Sequence, residues 1–234
     1  MSQPGRIRDA YVLVGRGRRL PGKFDLPVVG RTVLERAVAA VRAAGFRATV
    51  VSVDPRPVPG VAVAHDPYGV GPLGALRAIL ERRPGPLVLV GGDMPTIDPA
   101  ALRRLADLFD GRSVVPRWSR GTFEVLHAAY SVPLAEVKRH LERHGSLHRL
   151  VETLVADGRA QTVPAESFDP WTFADVDRRA AYEAVVRWVE RRETSPALRP
   201  SGRPLSRPTG RSSGSGAPRG SSGGKASSRE RASS

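Results

Sequence analysis

Short runs that are apolar at nearly every position alternate along this chain with segments whose apolar residues recur every three or four positions. The runs are AYVLVG (10–15), ATVVSV (48–53), VAVAHD (61–66), PLVLVGGD (86–93) and SVVP (113–116). Apolar on both faces, they predict strands buried from two sides. The interleaved segments predict helices. The first is clearly punctuated, with Thr32 as N-cap, Glu35 three residues on, apolar Val33, Leu34, Ala37, Val38 and Val41, and Gly45 as the stop. Further helices are predicted over 73–82, from Pro99 to Phe109 behind Asp98, from Leu134 to His144 with Gly145 as the stop, over 147–156, and from Arg178 to Arg192. FEVLHAAYS (123–131), QTVP (161–164) and WTFADV (171–176) read as additional strands. Strands alternating with helices predict an α/β fold, a three-layer αβα, Rossmann-like arrangement around a mostly parallel sheet. Ligands of such sheets sit beyond the carboxyl ends of the strands, which brings Gly15, Asp66 and Asp93 to one crevice.

Composition changes this picture at one end. The chain of 234 residues carries 37 basic and 23 acidic side chains, a net charge of +14. From Pro196 onward it contains 11 serines, 7 glycines and 5 prolines, with Leu198 and Leu205 as the large apolar residues. Such a segment cannot offset its ordering entropy, so 196–234 is expected to be a disordered basic tail behind a domain at 1–195. The tail holds eight basic residues against Glu230, which is half of the net charge. Nucleic acid is thus expected as a partner only through the tail, if at all. The absence of cysteine excludes disulfides, Cys-ligated metals and a thiol nucleophile. With no run of about 18 apolar residues and no apolar core in MSQPGRIRDA, a cytoplasmic location without membrane attachment is expected.

Candidate chemistry clusters at the predicted crevice. Gly17 to Phe24 nearly matches the phosphate-loop pattern, but Phe24 has no hydroxyl for Mg²⁺ and the following residues look extended rather than helical. A glycine-rich turn after the first strand still exposes backbone N–H groups to phosphate oxygens, and Arg18, Arg19 and Lys23 can neutralise a leaving pyrophosphate. Asp93, at the end of an apolar strand, is placed to hold Mg²⁺, a hard cation that takes carboxylate and phosphate oxygens together. Asp175 and Asp177 would share one face of a strand, and Asp175 is the better second metal contact because Asp177 precedes the last helix as a possible N-cap. His140, His144 and His148 have helical spacing, but Gly145-Ser146 interrupts the helix, so a solvated face is expected rather than a metal site. His127 is either a substrate-side group or a core histidine.

Five segments in this order resemble the molybdenum cofactor guanylyltransferases, which attach GMP to molybdopterin. They are Leu13-Val14-Gly15 through Lys23, His65-Asp66 through Gly71-Pro72-Leu73-Gly74-Ala75-Leu76, Gly92-Asp93-Met94-Pro95, Glu124 through Tyr130, and Phe173-Ala174-Asp175-Val176-Asp177. The resemblance implies a nucleotidyltransferase-like (glycosyltransferase-A-like) fold, GTP and a molybdopterin-type phosphorylated substrate, Mg²⁺, and association with molybdoenzymes or other cofactor-biosynthesis proteins. It implies nucleotide contacts at Leu13, Val14, Gly15, Ser52, Asp66 and Asp93, phosphate contacts at Lys23, and metal at Asp93. Asp175 and Asp177 stand near the pterin where the family usually has asparagines. The loop departs from the family at Arg16, in place of a second glycine, and at Pro21. A relative using another base or acceptor, such as a cytidylyltransferase or a transferase to cobinamide or sugar phosphates, fits the same pattern, as does a non-catalytic binding protein.

Overall fold

Strands that are apolar on both faces need cover on both faces, and helices provide it here. The computed structural model describes residues 6–17, 19–55 and 57–194. The chain runs through β1 (Asp9–Val14), a small hairpin of β2 (Pro27–Val28) and β3 (Arg31–Thr32), α1 (Val33–Ala43), β4 (Arg47–Ser52), β5 (Ala62–His65), α2 (Pro72–Arg82) and β6 (Leu87–Gly91). There follow α3 (Pro99–Asp107), β7 (Ser113–Arg117), β8 (His127–Tyr130), α4 (Leu134–Glu142), α5 (Leu147–Ala156), β9 (Ala160–Pro164) and α6 (Arg179–Thr194). Seven strands form one sheet in the order β5-β4-β1-β6-β8-β7-β9. β5, β4, β1 and β6 run parallel, β8 is antiparallel to both of its neighbours, and β9 is parallel to β7.

The period of two along each strand divides the core. On β1, Val12 and Val14 join Val88 and Val90 of β6 against α1 and α3, through Leu34, Val38, Leu102 and Leu105. Tyr11 and Leu13 join Leu87 and Leu89 on the opposite face, against Leu73, Leu76 and Ile79 of α2 and Leu150 and Leu154 of α5. Each fully buried aliphatic side chain in these layers contributes about 1.5–3 kcal/mol. The three-layer αβα architecture therefore follows from the alternation read in the sequence.

Local signals were obeyed in most places. Thr32 and Glu35 form the reciprocal capping box, with Glu35 N donating to Thr32 Oγ1 at 3.1 Å and Thr32 N to Glu35 Oε2 at 2.7 Å. Four expectations need correction. β8 begins only at His127, because Glu124 to Leu126 turns, with His127 N donating to Glu124 O at 3.1 Å. WTFADV is not a strand: Asp169 caps a 3-10 turn over Pro170–Phe173 through Trp171 N, and an extended segment then leads to α6. α4 stops at Glu142, and His144 rather than Gly145 takes the left-handed conformation, at φ 53°. VAVAHD also differs in burial, since β5 is an edge strand with Ala62 and Val63 exposed. The expected tail at 196–234 and its boundary lie outside the described residues. Among those described, no helix is long and apolar enough to cross a membrane.

One long-range seam positions the site. The turn after β6 is tied to the segment before α6 by Val176 N donating to Asp93 O at 2.8 Å, Thr96 Oγ1 to Trp171 O at 2.6 Å, and Asp98 N to Thr172 Oγ1 at 2.8 Å. Thr172 is buried, so Thr172→Val leaves the Asp98 N–H without its acceptor in a partly dry seam. A loss of about 1–3 kcal/mol in urea unfolding is expected, and an unchanged midpoint would show that the seam adds no stability.

Candidate functional site

The carboxyl edge of the parallel strands is built around a close approach of backbone to backbone. Gly92 N donates to Leu13 O at 2.8 Å, pressing the turn after β6 against the end of β1. A Cβ on Gly92 would stand 2.9 Å from that same carbonyl oxygen, and one on Gly91 would stand 2.7 Å from Asp93 Oδ1. At Gly92 the backbone leaves room only for glycine, while a Cβ at Gly91 would displace the Asp93 carboxylate, and the two glycines bring Asp93 beside the loop that follows β1. In that loop Gly17 and Gly22 take φ of 60° and 71°, and the chain turns so that Lys23 and Phe24 point inward. The Lys23 ammonium, on a side chain 10% exposed, is ion-paired with the Asp93 carboxylate. The loop does not open into a helix as a phosphate loop of the nucleotide hydrolases does. Lys23–Asp25 is a single 3-10 turn, and the hairpin β2–β3 intervenes before α1.

These groups border a cleft of about 520 Å³. Leu13, Val14, Gly15, Lys23, Asp66 and Asp93, six of the residues expected from the sequence, line it together. Val51, Val53, Val70 and Ala75 give one wall an apolar character suited to a flat ring. Val70 is 64% exposed, an unusual position for a large apolar side chain in a monomer. Asp66 is buried, and its Oδ1 accepts from Tyr68 N at 2.9 Å and Gly69 N at 3.3 Å, so this carboxylate shapes the loop that carries Val70. That loop ends in Gly71, at φ 88°, and Pro72 as the first residue of α2, both at the cleft. The positive end of the α2 dipole therefore opens toward any anion bound there.

The remaining expected residues are placed differently. Ser52 is buried with its hydroxyl on Asp54 O at 2.9 Å, while its neighbours Val51 and Val53 face the cleft. Arg19 lies on the surface, 74% exposed, with Nη1 2.9 Å from Asp177 Oδ2. Asp177 also lies 3.5 Å from Arg178, so it serves an ion-pair cluster joining the loop to the start of α6. Asp175 is exposed and does not line the cleft. Loss of hydration against the surrounding protein, then the charges of Asp93 and Asp177, raise its carboxyl pKa above the ordinary value. Arg18 lies outside the described residues. Arg16, where the sequence departs from the family's loop, borders the cleft with its side chain exposed. Val53 and Val70 line the cleft without being expected there, and Phe24, noted only for breaking the phosphate-loop pattern, lines it too. A large apolar residue between Gly69 and Gly71 was the one readable sign of them.

The histidines are not a metal site. His140 lies on α4 with Nδ1 3.3 Å from Glu136 O and Nε2 3.4 Å from Thr153 Oγ1, while His144 and His148 fall in a turn and on α5. Among the described residues no three metal-ligating side chains converge. His127 is fully buried, with neither ring nitrogen hydrogen-bonded, and its ring meets Phe173 edge-on at 5.0 Å. Loss of hydration pushes its pKa down to about 3. It is a core residue that does not line the cleft, whereas its neighbour Leu126 does.

A family model described as a MobA-like NTP transferase domain matches residues 10–161. A probable molybdenum cofactor guanylyltransferase from Pyrococcus furiosus is 31% identical over 126 residues, 51% of this chain and 62% of that protein. Another of the same description, from Methanosarcina mazei, is 32% identical over 160 residues, 60% of this chain and 71% of its own length. The structure matches a nucleotidyl transferase from Methanothermobacter thermautotroptrophicus with a TM-score of 0.63 and 24% identity, covering 80% of this chain and 99% of that one. The sheet order and this likeness define a nucleotidyltransferase-like α/β fold. More narrowly, the chain belongs to the MobA-like NTP transferase family. Its match spans less than two thirds of the length of the Pyrococcus relative.

His127 makes a pH prediction. Its folded pKa lies below the value of about 6.5 it has when unfolded, so the unfolded chain binds the extra proton. This histidine's contribution is fully present above about pH 6.5 and is lost as pH falls toward 3. His127→Leu, which removes two unpaired buried nitrogens, is expected to flatten the decline of unfolding free energy between pH 6.5 and 4. Parallel profiles for the two proteins would contradict a neutral buried imidazole.

Proposed function

We propose that this protein transfers GMP from GTP to a terminal phosphate of a molybdopterin-type acceptor and releases pyrophosphate. The observation that carries the reading is the Lys23–Asp93 pair beside the open N-terminus of α2, at the carboxyl edge of a parallel sheet. One acid, one ammonium and a helix dipole meet there next to an apolar wall that suits a base. An acceptor phosphate oxygen forms the new bond to the α-phosphorus, and the bond from the α-phosphorus to the bridging oxygen breaks, that oxygen leaving on pyrophosphate with the electron pair. The task is to align two anions and screen their repulsion, so no covalent protein intermediate is needed.

The donor set fits a divalent cation, in keeping with the general use of such ions among nucleotidyltransferases. Asp93 offers hard oxygen ligands in the cleft, and Asp175, outside its lining but near enough for the Asp93 charge to raise its carboxyl pKa, is the second candidate. Mg²⁺ would complete its shell with waters and substrate phosphates. Bound there, Mg²⁺ would neutralise charge on the phosphates. The Lys23 ammonium is paired with the Asp93 carboxylate; bound nucleotide phosphates would offer the ammonium a second partner, and Asp93 would then be available to hold the cation. Arg16 and Arg19 add positive charge around the loop. Asp175, free of ion pairs among the described residues, accepts hydrogen bonds from a donor-rich edge such as that of a pterin.

The test is transfer of label from α-labelled GTP to molybdopterin by purified protein. Asp93→Asn is expected to lower turnover by about 10²-fold or more with the fold intact. Full activity in this variant would remove Asp93 from the chemistry. Equal transfer from CTP would replace the guanylyl reading with a base-tolerant one.

A further inference from the structure

The cleft lies at the carboxyl edge of the sheet, and a second concavity lies at the amino edge, where β1, β4 and β6 begin. We propose that this concavity is a separate binding site for a small phosphoryl anion, a phosphate monoester or pyrophosphate. It measures about 240 Å³ and is lined by Arg6, Arg8, Arg47 and Arg83, with Asp9 and Tyr11. The volume is ample for a phosphoryl group and its hydration.

Charge and geometry both point to an anion. Four guanidinium groups face one carboxylate, a surplus of three positive charges within a single concavity. Asp9 orients two of them. Its Oδ1 lies 2.9 Å from Arg47 Nε, and its Oδ2 lies 3.1 Å from Arg47 Nη2 and 3.2 Å from Arg83 Nε. Arg47 is thereby held by one edge of its fork, and Arg83 by Nε alone. The terminal nitrogens left over, Nη1 of Arg47 and both of Arg83, are donors on guanidinium planes whose orientation is already set. Arg6 and Arg8 are exposed and have no ion pair among the described residues, while Arg47 N donates to Arg8 O at 2.8 Å and fixes the backbone between them. Favourable interaction with the carboxyl end of α2 explains a cation at Arg83, but not those at positions 6, 8 and 47, which come from other elements. Tyr11 is nearly buried, and burial followed by the Asp9 charge raises its hydroxyl pKa, so it remains a proton donor. Preset guanidinium forks beside a hydroxyl donor match the tetrahedral oxygens of a phosphoryl group.

The site stands apart from the transfer reaction, and its test does not depend on that reading. Pyrophosphate is titrated calorimetrically into the full-length protein at constant ionic strength, with inorganic phosphate as a second probe. Wild-type protein and Lys23→Met, whose altered side chain lies in the cleft and whose folded state is first verified by its melting transition, should both show binding at this site. The double variant Arg6→Ala/Arg8→Ala removes two exposed side chains and should retain the wild-type melting temperature. It should weaken that binding by about tenfold or more, the size expected for losing charge-assisted contacts. Superimposable isotherms for wild type and the double variant would overturn the proposal, as would loss of all pyrophosphate binding in Lys23→Met. Should the double variant melt early, Arg8→Lys serves instead, since a point charge in place of the fork should weaken pyrophosphate binding and unchanged affinity would count against the site.

Discussion

An ammonium group with a tenth of its side chain in water needs a counter-charge, and Asp93 supplies it to Lys23. The pair joins the loop after β1 to the turn after β6, and both segments must be in place for it to form. Gly91 and Gly92 admit the turn, Val176 N holds the Asp93 carbonyl, and Phe24 buries the far side of the loop. Removing one partner leaves a partly buried charge alone, which is the costly situation. In the proposed reaction, phosphate anions would offer Lys23 a second partner of the same sign as the first, so that the pair would act both as a structural tie and as an exchange site.

The sheet imposes the larger geometry. Burying both faces of β1 and β6 under helices leaves only the two strand edges open to solvent ligands. At the carboxyl edge the loops are glycine-rich and the first turn of α2 faces outward, which favours anions by backbone dipoles with few charged side chains. At the amino edge the backbone offers no such help, and guanidinium groups around Asp9 do the attracting. Two anion-friendly edges thus arise from different physics within one fold.

Much of this was legible in the residues. The capping box at Thr32, the apolar runs and the acid closing β6 each have a local cause that survives folding. The failures have local causes as well. Asp98-Pro99 reads as a helix start, while the same pair at Asp169-Pro170 stands before WTFADV, which reads as a strand; the structure treats both pairs as caps. FEVLHAAYS reads as one strand, yet its first half turns and Glu124 accepts from the Trp118 ring nitrogen, a contact no spacing reveals. Partners also redirected single side chains: Ser52 turned to the local carbonyl of Asp54, and Arg19 went to the distant Asp177. Asp66 kept its place in the cleft, but its carboxylate serves the loop. Residue type and position foretold the edge of the sheet at which these groups lie, whereas partner choice depended on segments more than a hundred residues apart, as for Arg19 and Asp177.

The exchange at Lys23 can be measured directly by calorimetric titration of Mg²⁺ alone and of Mg·GTP into wild-type protein and Lys23→Met. If the ammonium holds the place that the cation takes when nucleotide arrives, the variant binds Mg²⁺ alone several-fold more tightly, because Asp93 is released, and binds Mg·GTP about tenfold or more weakly, because a phosphate contact is gone. Opposite signs for the two ligands are the predicted result. Unchanged Mg·GTP affinity, or Mg²⁺ binding weakened along with it, would contradict the account.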